Sequence, residues 1–147
     1  MSRVEDAMGK FNNGSNCAQS IIGTYGPLRG LAEADCLRIG SGFGSGMRRA
    51  EVCGAVSGSI MVLGLDFQPS DLTGVSKDYV NQRTLAFTNK FEKKCGSILC
   101  HDLLSCDVST PEGQLEAKSK ETSQTICPGL VQAAAELVEE FILLPEK

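Results

Sequence analysis

RAEVCGAVSGSIMVLGL, Arg49 to Leu65, is the stretch on which the rest of the chain turns. Val56, Ile60, Met61 and Val62 would be tolerable in a buried strand. The run is too long for an ordinary strand, so it predicts a buried helix over Arg49–Leu65. Its glycines are costly there, at about 1 kcal/mol each against alanine in a helix interior. Gly54 and Gly58 are four apart and share one helix face, where another backbone or a cofactor can approach closely.

On either side the pattern stays helical. Val4 to Phe11 is a short helix ended by Asn12-Asn13-Gly14. Ser15 and Asn16 then cap a helix through Tyr25, which stops at Gly26-Pro27. Leu31 to Ile39 is a further short helix, and Gly40 to Gly46 is a tight loop. Asp66 to Val75, with Pro69, is a loop. Lys77 to Lys94 has apolar residues near a 3.6 period. Ser97 caps a short helix through Leu104, and Thr110-Pro111 opens a polar one. The last helix runs from about Pro128 to Leu144, before Pro145. With no hairpin signal, the expectation is an all-α chain: one cysteine-rich domain over 1–147, a bundle of about six helices.

The 147 residues suffice for one ordinary core. The net charge of −4, with Lys and Arg dispersed, gives no basic face for a phosphate backbone. Trp is absent and aromatics are 5%, too few for base stacking. Nucleic acid is therefore not an expected partner. MSRVEDAMGKF does not read as a signal peptide. Val52–Leu65 is short for a membrane span and is interrupted by glycine. A cytoplasmic protein without a membrane partner is expected, and a homodimer is left open.

The seven cysteines are an odd number, so they cannot all pair within one chain. In a reducing compartment such a density points to metal binding or redox chemistry. The plain alternative is that each is a small buried hydrophobe. Cys17, Cys53, Cys100 and Cys127 all fall at or near expected helix starts. There, unpaired N–H groups and the helix dipole favour thiolate, the form that attacks electrophiles and binds metals. Cys36, Cys95 and Cys106 lack this placement and read as packing residues.

Gly40-Ser41-Gly42-Phe43-Gly44-Ser45-Gly46 has the wrong spacing for a dinucleotide fingerprint and no Gly-Lys-Ser/Thr ending, so no nucleotide is expected. Arg48 and Arg49 just beyond it either attract an anion or are simply solvated. His101 adjoins Cys100, but neighbouring residues on a helix point in different directions.

Cys53-Gly54-Ala55-Val56-Ser57-Gly58, with Cys17 upstream and Cys100 and Cys127 downstream, resembles the C-GCAxxG-C-C family, named for redox activity. Asn16-Cys17-Ala18-Gln19, Gly42 to Met47 and Leu99-Cys100 support the resemblance, which covers nearly the whole chain. The family label has Gly before the cysteine, where this chain has Val52. The resemblance implies that Cys17, Cys53, Cys100 and Cys127 are the characteristic cysteines. The family also looks related to a domain of some split-Soret cytochromes. This chain has no Cys-x-x-Cys-His for covalent haem.

Three functions follow as expectations. In the first, Cys17, Cys53, Cys100 and Cys127 hold zinc or an iron–sulfur cluster, with Gly54 and Gly58 leaving room for it, and a cluster exchanges electrons with a redox partner. In the second, no metal is involved: Cys53 attacks and another cysteine, Cys17 foremost, resolves the disulfide. In the third, the chain is a helical binding module whose cysteines only pack.

Overall fold

The computed structural model describes residues 2–67, 75–142 and 144. Among them the chain is all-α, with nine α-helices. These are α1 (Arg3–Asn12), α2 (Cys17–Tyr25), α3 (Glu33–Gly40), α4 (Gly54–Leu65), α5 (Val75–Cys95), α6 (Cys100–Leu104), α7 (Pro111–Ser119), α8 (Thr122–Thr125) and α9 (Cys127–Phe141). Seven of the nine have seven residues or more, close to the six expected; α6 and α8 are single turns. Among the described residues no helix is long and apolar enough to cross a membrane.

The central helix is α4, apolar on all sides, as a helix enclosed by others should be. It packs against α2, α5 and α9. Val56 and Val62 of α4, Ile21 and Tyr25 of α2, Phe87 and Phe91 of α5 and Val138 of α9 are fully buried in the main core. The Tyr25 hydroxyl donates to the Glu139 carboxylate, tying α2 to α9, and Lys94 bonds Glu136 at 2.9 Å, tying α5 to α9. A second, smaller core forms from Ala50, Cys100, Leu104, Cys106 and Val108, with Cys127 packed against it.

The structure corrects the expected start of the central helix. It begins at Gly54, not Arg49. Ser45, Gly46, Met47, Arg48 and Ala50 have positive φ, which a right-handed helix excludes. The next residues are extended: Cys53 N–H donates to Ile98 O at 2.8 Å and Cys100 N–H to Glu51 O at 2.6 Å. An isolated antiparallel bridge, Val52 with Leu99, is the result. Elsewhere the differences are smaller. Helix α2 ends at Tyr25, before Gly26-Pro27 as expected, and the chain continues as a 3-10 turn over Gly26–Arg29 that accepts proline in its first turn. The third helix starts at Glu33, two residues late. The last ends at Phe141, where Ile142 turns extended. The loop expected around Pro69 and the stop at Pro145 lie outside the described residues.

Candidate redox site

Each of the four singled-out cysteines stands at a helix start. Cys17 is the first residue of α2, behind an Asn16 cap. Cys53 is the residue that precedes α4 in the cap position, Cys100 opens α6 and Cys127 opens α9. Besides Cys53, which moves to the cap with the later start of α4, two of these placements differ slightly from expectation. Leu99 rather than Ser97 precedes α6, with the Ser97 hydroxyl accepting from Leu99 N–H at 3.0 Å. Cys127 lies inside its helix instead of at the cap.

The cap of α2 shows how the sequence builds the site. Asn16 Oδ1 accepts from Gln19 N–H at 2.8 Å, while Gln19 Oε1 accepts from Asn16 N–H at 2.9 Å. Asn16 Nδ2 meanwhile donates to the carbonyls of Gly40 and Ser41, at 3.1 and 3.2 Å. The glycine loop is thereby latched to the residue before Cys17. Gly44 lies so close that a Cβ there would come within 2.9 Å of Asn16 Cβ. Asn16→Ala removes the cap and both donor bonds. Its expected cost is about 2 kcal/mol in denaturant unfolding, with Asn16→Asp intermediate because it keeps the cap alone.

Gly54 and Gly58 turn their bare face to α2. A Cβ on Gly58 would stand 2.8 Å from Ala18 O and 3.0 Å from Ala18 Cα; one on Gly54 would meet Ala18 N at 3.1 Å and Cys17 Cβ at 3.2 Å. The close crossing brings the start of α2 against the start of α4, and with it Cys17 against Cys53. The backbone bridge does the same for Cys100.

All four cysteines line one cavity of about 340 Å³, with Gly54 but not Gly58 in its wall. It opens at the seam between the two cores. Cys17 and Cys53 belong to the main core, and Cys100 and Cys127 to the smaller one. Cys53 and Cys100 are buried, whereas Cys17 and Cys127 are half-buried.

Electrostatics separates the four. The Cys17 thiol interacts with the Cys127 and Cys53 sulfurs, and with burial this holds its proton on well above the ordinary thiol value. Cys53 is shifted the other way, first by the Cys17 thiol, then by the backbone N–H groups of Ala55 and Val56, with burial opposing. No full capping bond closes to those N–H groups. They lie close enough to favour negative charge on sulfur. Cys127 is also lowered by Cys17, but burial and the Cys53 charge oppose it. One Cys17 proton serves one neighbour at a time, so Cys53, with its backbone donors, is the sulfur more readily deprotonated. Burial, followed by the Cys53 and Cys127 charges, pushes Cys100 up to about 12.

Of the remaining cysteines, Cys36 is buried in the main core, Cys106 is buried in the smaller one and Cys95 is half-buried at the end of α5. His101 lies outside the cavity wall, its Nδ1 3.1 Å from an Asp102 carboxylate oxygen. Among the described residues no group of three or more His, Cys, Asp or Glu side chains is placed to hold a metal ion. Missed from sequence were the left-handed turn at Ser45–Arg48 and the Val52–Leu99 bridge. Neither leaves a composition signal, since most of the positive-φ residues there are not glycine.

A family model described as "Putative redox-active protein (C_GCAxxG_C_C)" matches residues 15–141, a span that contains all four cavity cysteines. No curated protein and no solved structure matches the chain.

Proposed function

Since the chain belongs to the C_GCAxxG_C_C family, we propose that it is a thiol redox protein whose reacting pair is Cys53 and Cys17. One observation carries this reading: Cys17 and Cys53 line a single cavity at the close crossing of α2 and α4. The division of labour follows from the two environments. Cys53 supplies the thiolate, and Cys17 holds a proton and waits.

The oxidant is a disulfide, R–S–S–R′. The Cys53 thiolate attacks one sulfur, the S–S bond breaks, and R′–S⁻ leaves with the electron pair and takes up the Cys17 proton. The Cys17 thiolate then attacks the Cys53 sulfur and expels R–S⁻. One thiol, one thiolate and the Cys17–Cys53 disulfide result. The external disulfide is reduced by two electrons, which the two cysteines lose.

Alkylation of reduced, metal-free protein tests the pair. The fast thiol gains rate with pH and levels off below the ordinary thiol value of 9.0, because thiolate is the reactive form and Cys53 is lowered. Cys17→Ala moves that plateau to higher pH. Losing an interaction of about 1 kcal/mol lowers the thiolate population about fivefold on the rising limb of the profile, and the greater nucleophilicity of the more basic thiolate leaves the rate there about twofold to threefold slower. Cys17→Ser keeps a donor and restores most of it. An unchanged profile in Cys17→Ala overturns the assignment.

A zinc or iron–sulfur centre is the competing proposal, favoured by the convergence of four cysteines on one cavity. It predicts stoichiometric metal, or a brown chromophore, in protein purified without oxygen. Metal-free protein with a rapid Cys53 supports the thiol reading.

A further inference from the structure

We propose that the cavity takes a low-molecular-weight disulfide with a carboxylate on an apolar body, the carboxylate held by Arg48 and the disulfide presented to Cys53. The inference rests on the thiol redox reading and adds the class of substrate.

Size comes first. Cys53 is only 4% exposed, so its partner must enter the cavity to reach it. At about 340 Å³ the space falls within the small-molecule range, roughly 300–1,000 Å³, and a disulfide carried on a folded protein does not fit inside. The walls are next. Phe11, Leu103, Leu104, Val108 and Leu130 line it, so the body of the occupant is apolar. Charge completes the description. Arg48 is the one charged side chain among the described lining residues, and no Asp or Glu accompanies it. Its guanidinium makes no hydrogen bond or ion pair among the described residues.

On a chain of net charge −4, Arg48 is the charged side chain that draws an anion to this cavity. The left-handed turn Ser45–Arg48 is what brings Arg48 to the rim. A left-handed backbone at non-glycine residues costs about 1–3 kcal/mol each and persists only where surrounding structure fixes it. Here the backbone of Glu51 packs directly on Gly46. The sulfur exchange is the one written above, the two halves of the bound disulfide leaving as one thiol and one thiolate.

The test compares two probes on reduced, metal-free full-length protein: the dianionic 5,5′-dithiobis(2-nitrobenzoate) and the neutral 2,2′-dithiodipyridine. The rate read is the fast phase that Cys53→Ser removes. Arg48→Gln is expected to slow the dianion about fivefold, the worth of one partly solvated charge pair, and the neutral probe by less than about twofold. Arg48→Lys keeps most of the rate with the dianion, and added salt narrows the gap in the wild type. Equal slowing of both probes, or no slowing of either, overturns the assignment of Arg48 while leaving Cys53 in place. Absence of any Cys53-dependent phase with either probe overturns the redox reading, and the substrate class with it.

Discussion

Gly58→Val lowers stability by about 3 kcal/mol, at the upper end for an overpacked core, and abolishes closure of the Cys17–Cys53 disulfide. The cause is backbone against backbone. The added Cβ would stand 2.8 Å from Ala18 O and 3.0 Å from Ala18 Cα, and no side-chain rotation relieves either contact. Helix α2 must therefore withdraw from α4, carrying Cys17 away from Cys53. Gly64, in the same helix, is the control. A Cβ there meets nothing within 4 Å. Gly64→Ala is expected to stabilise by about 0.5–1 kcal/mol through helix propensity and to leave Cys53 reactivity unchanged. Opposite signs at two glycines of one helix, in denaturant unfolding, are the signature of the close crossing.

Cys53→Ser separates function from stability. Serine is among the favoured residues at a helix cap and offers a hydroxyl to the N–H groups of Ala55 and Val56. The variant is expected to stay within about 1 kcal/mol of the wild type in unfolding. Its fast phase with disulfides should vanish, a loss of at least about a hundredfold, since a hydroxyl does not exchange with disulfides. Cys100→Ser should retain that phase, because Cys100 is held protonated by burial. The packing-only reading predicts instead that neither serine variant changes any redox response.

The helical architecture and the four cavity cysteines were legible in the sequence for a shared physical reason. Apolar periodicity and cap residues are local signals, and the thiolate argument needed only helix starts. Asn16 before Cys17 and Pro128 after Cys127 marked two of those starts directly. The start of α4 was not legible. Ser45, Met47, Arg48 and Ala50 take positive φ without being glycine, because tertiary contacts override their local preference there. The partition of the four cysteines was hidden as well. Whether a thiol gains or loses its proton depends on which sulfur it faces, and α2 faces α4 through Gly58, Gly54 and Ala18. Sequence allowed those glycines to serve either a helix crossing or a cofactor. The nearest atoms to Gly58 belong to Ala18 of α2, those to Gly54 to Phe43 and then to Ala18 and Cys17, and Gly58 lies outside the cavity wall.

Peptide mapping of the oxidised protein tests the central pairing most directly. Reduced, metal-free protein is treated with one equivalent of a small disulfide, quenched in acid, digested and read by mass spectrometry. A Cys17–Cys53 cross-link as the dominant product is the predicted result, with Cys36, Cys95 and Cys106 recovered as thiols. Recovery of Cys17 and Cys53 both unlinked, with oxidation elsewhere or nowhere, would contradict it.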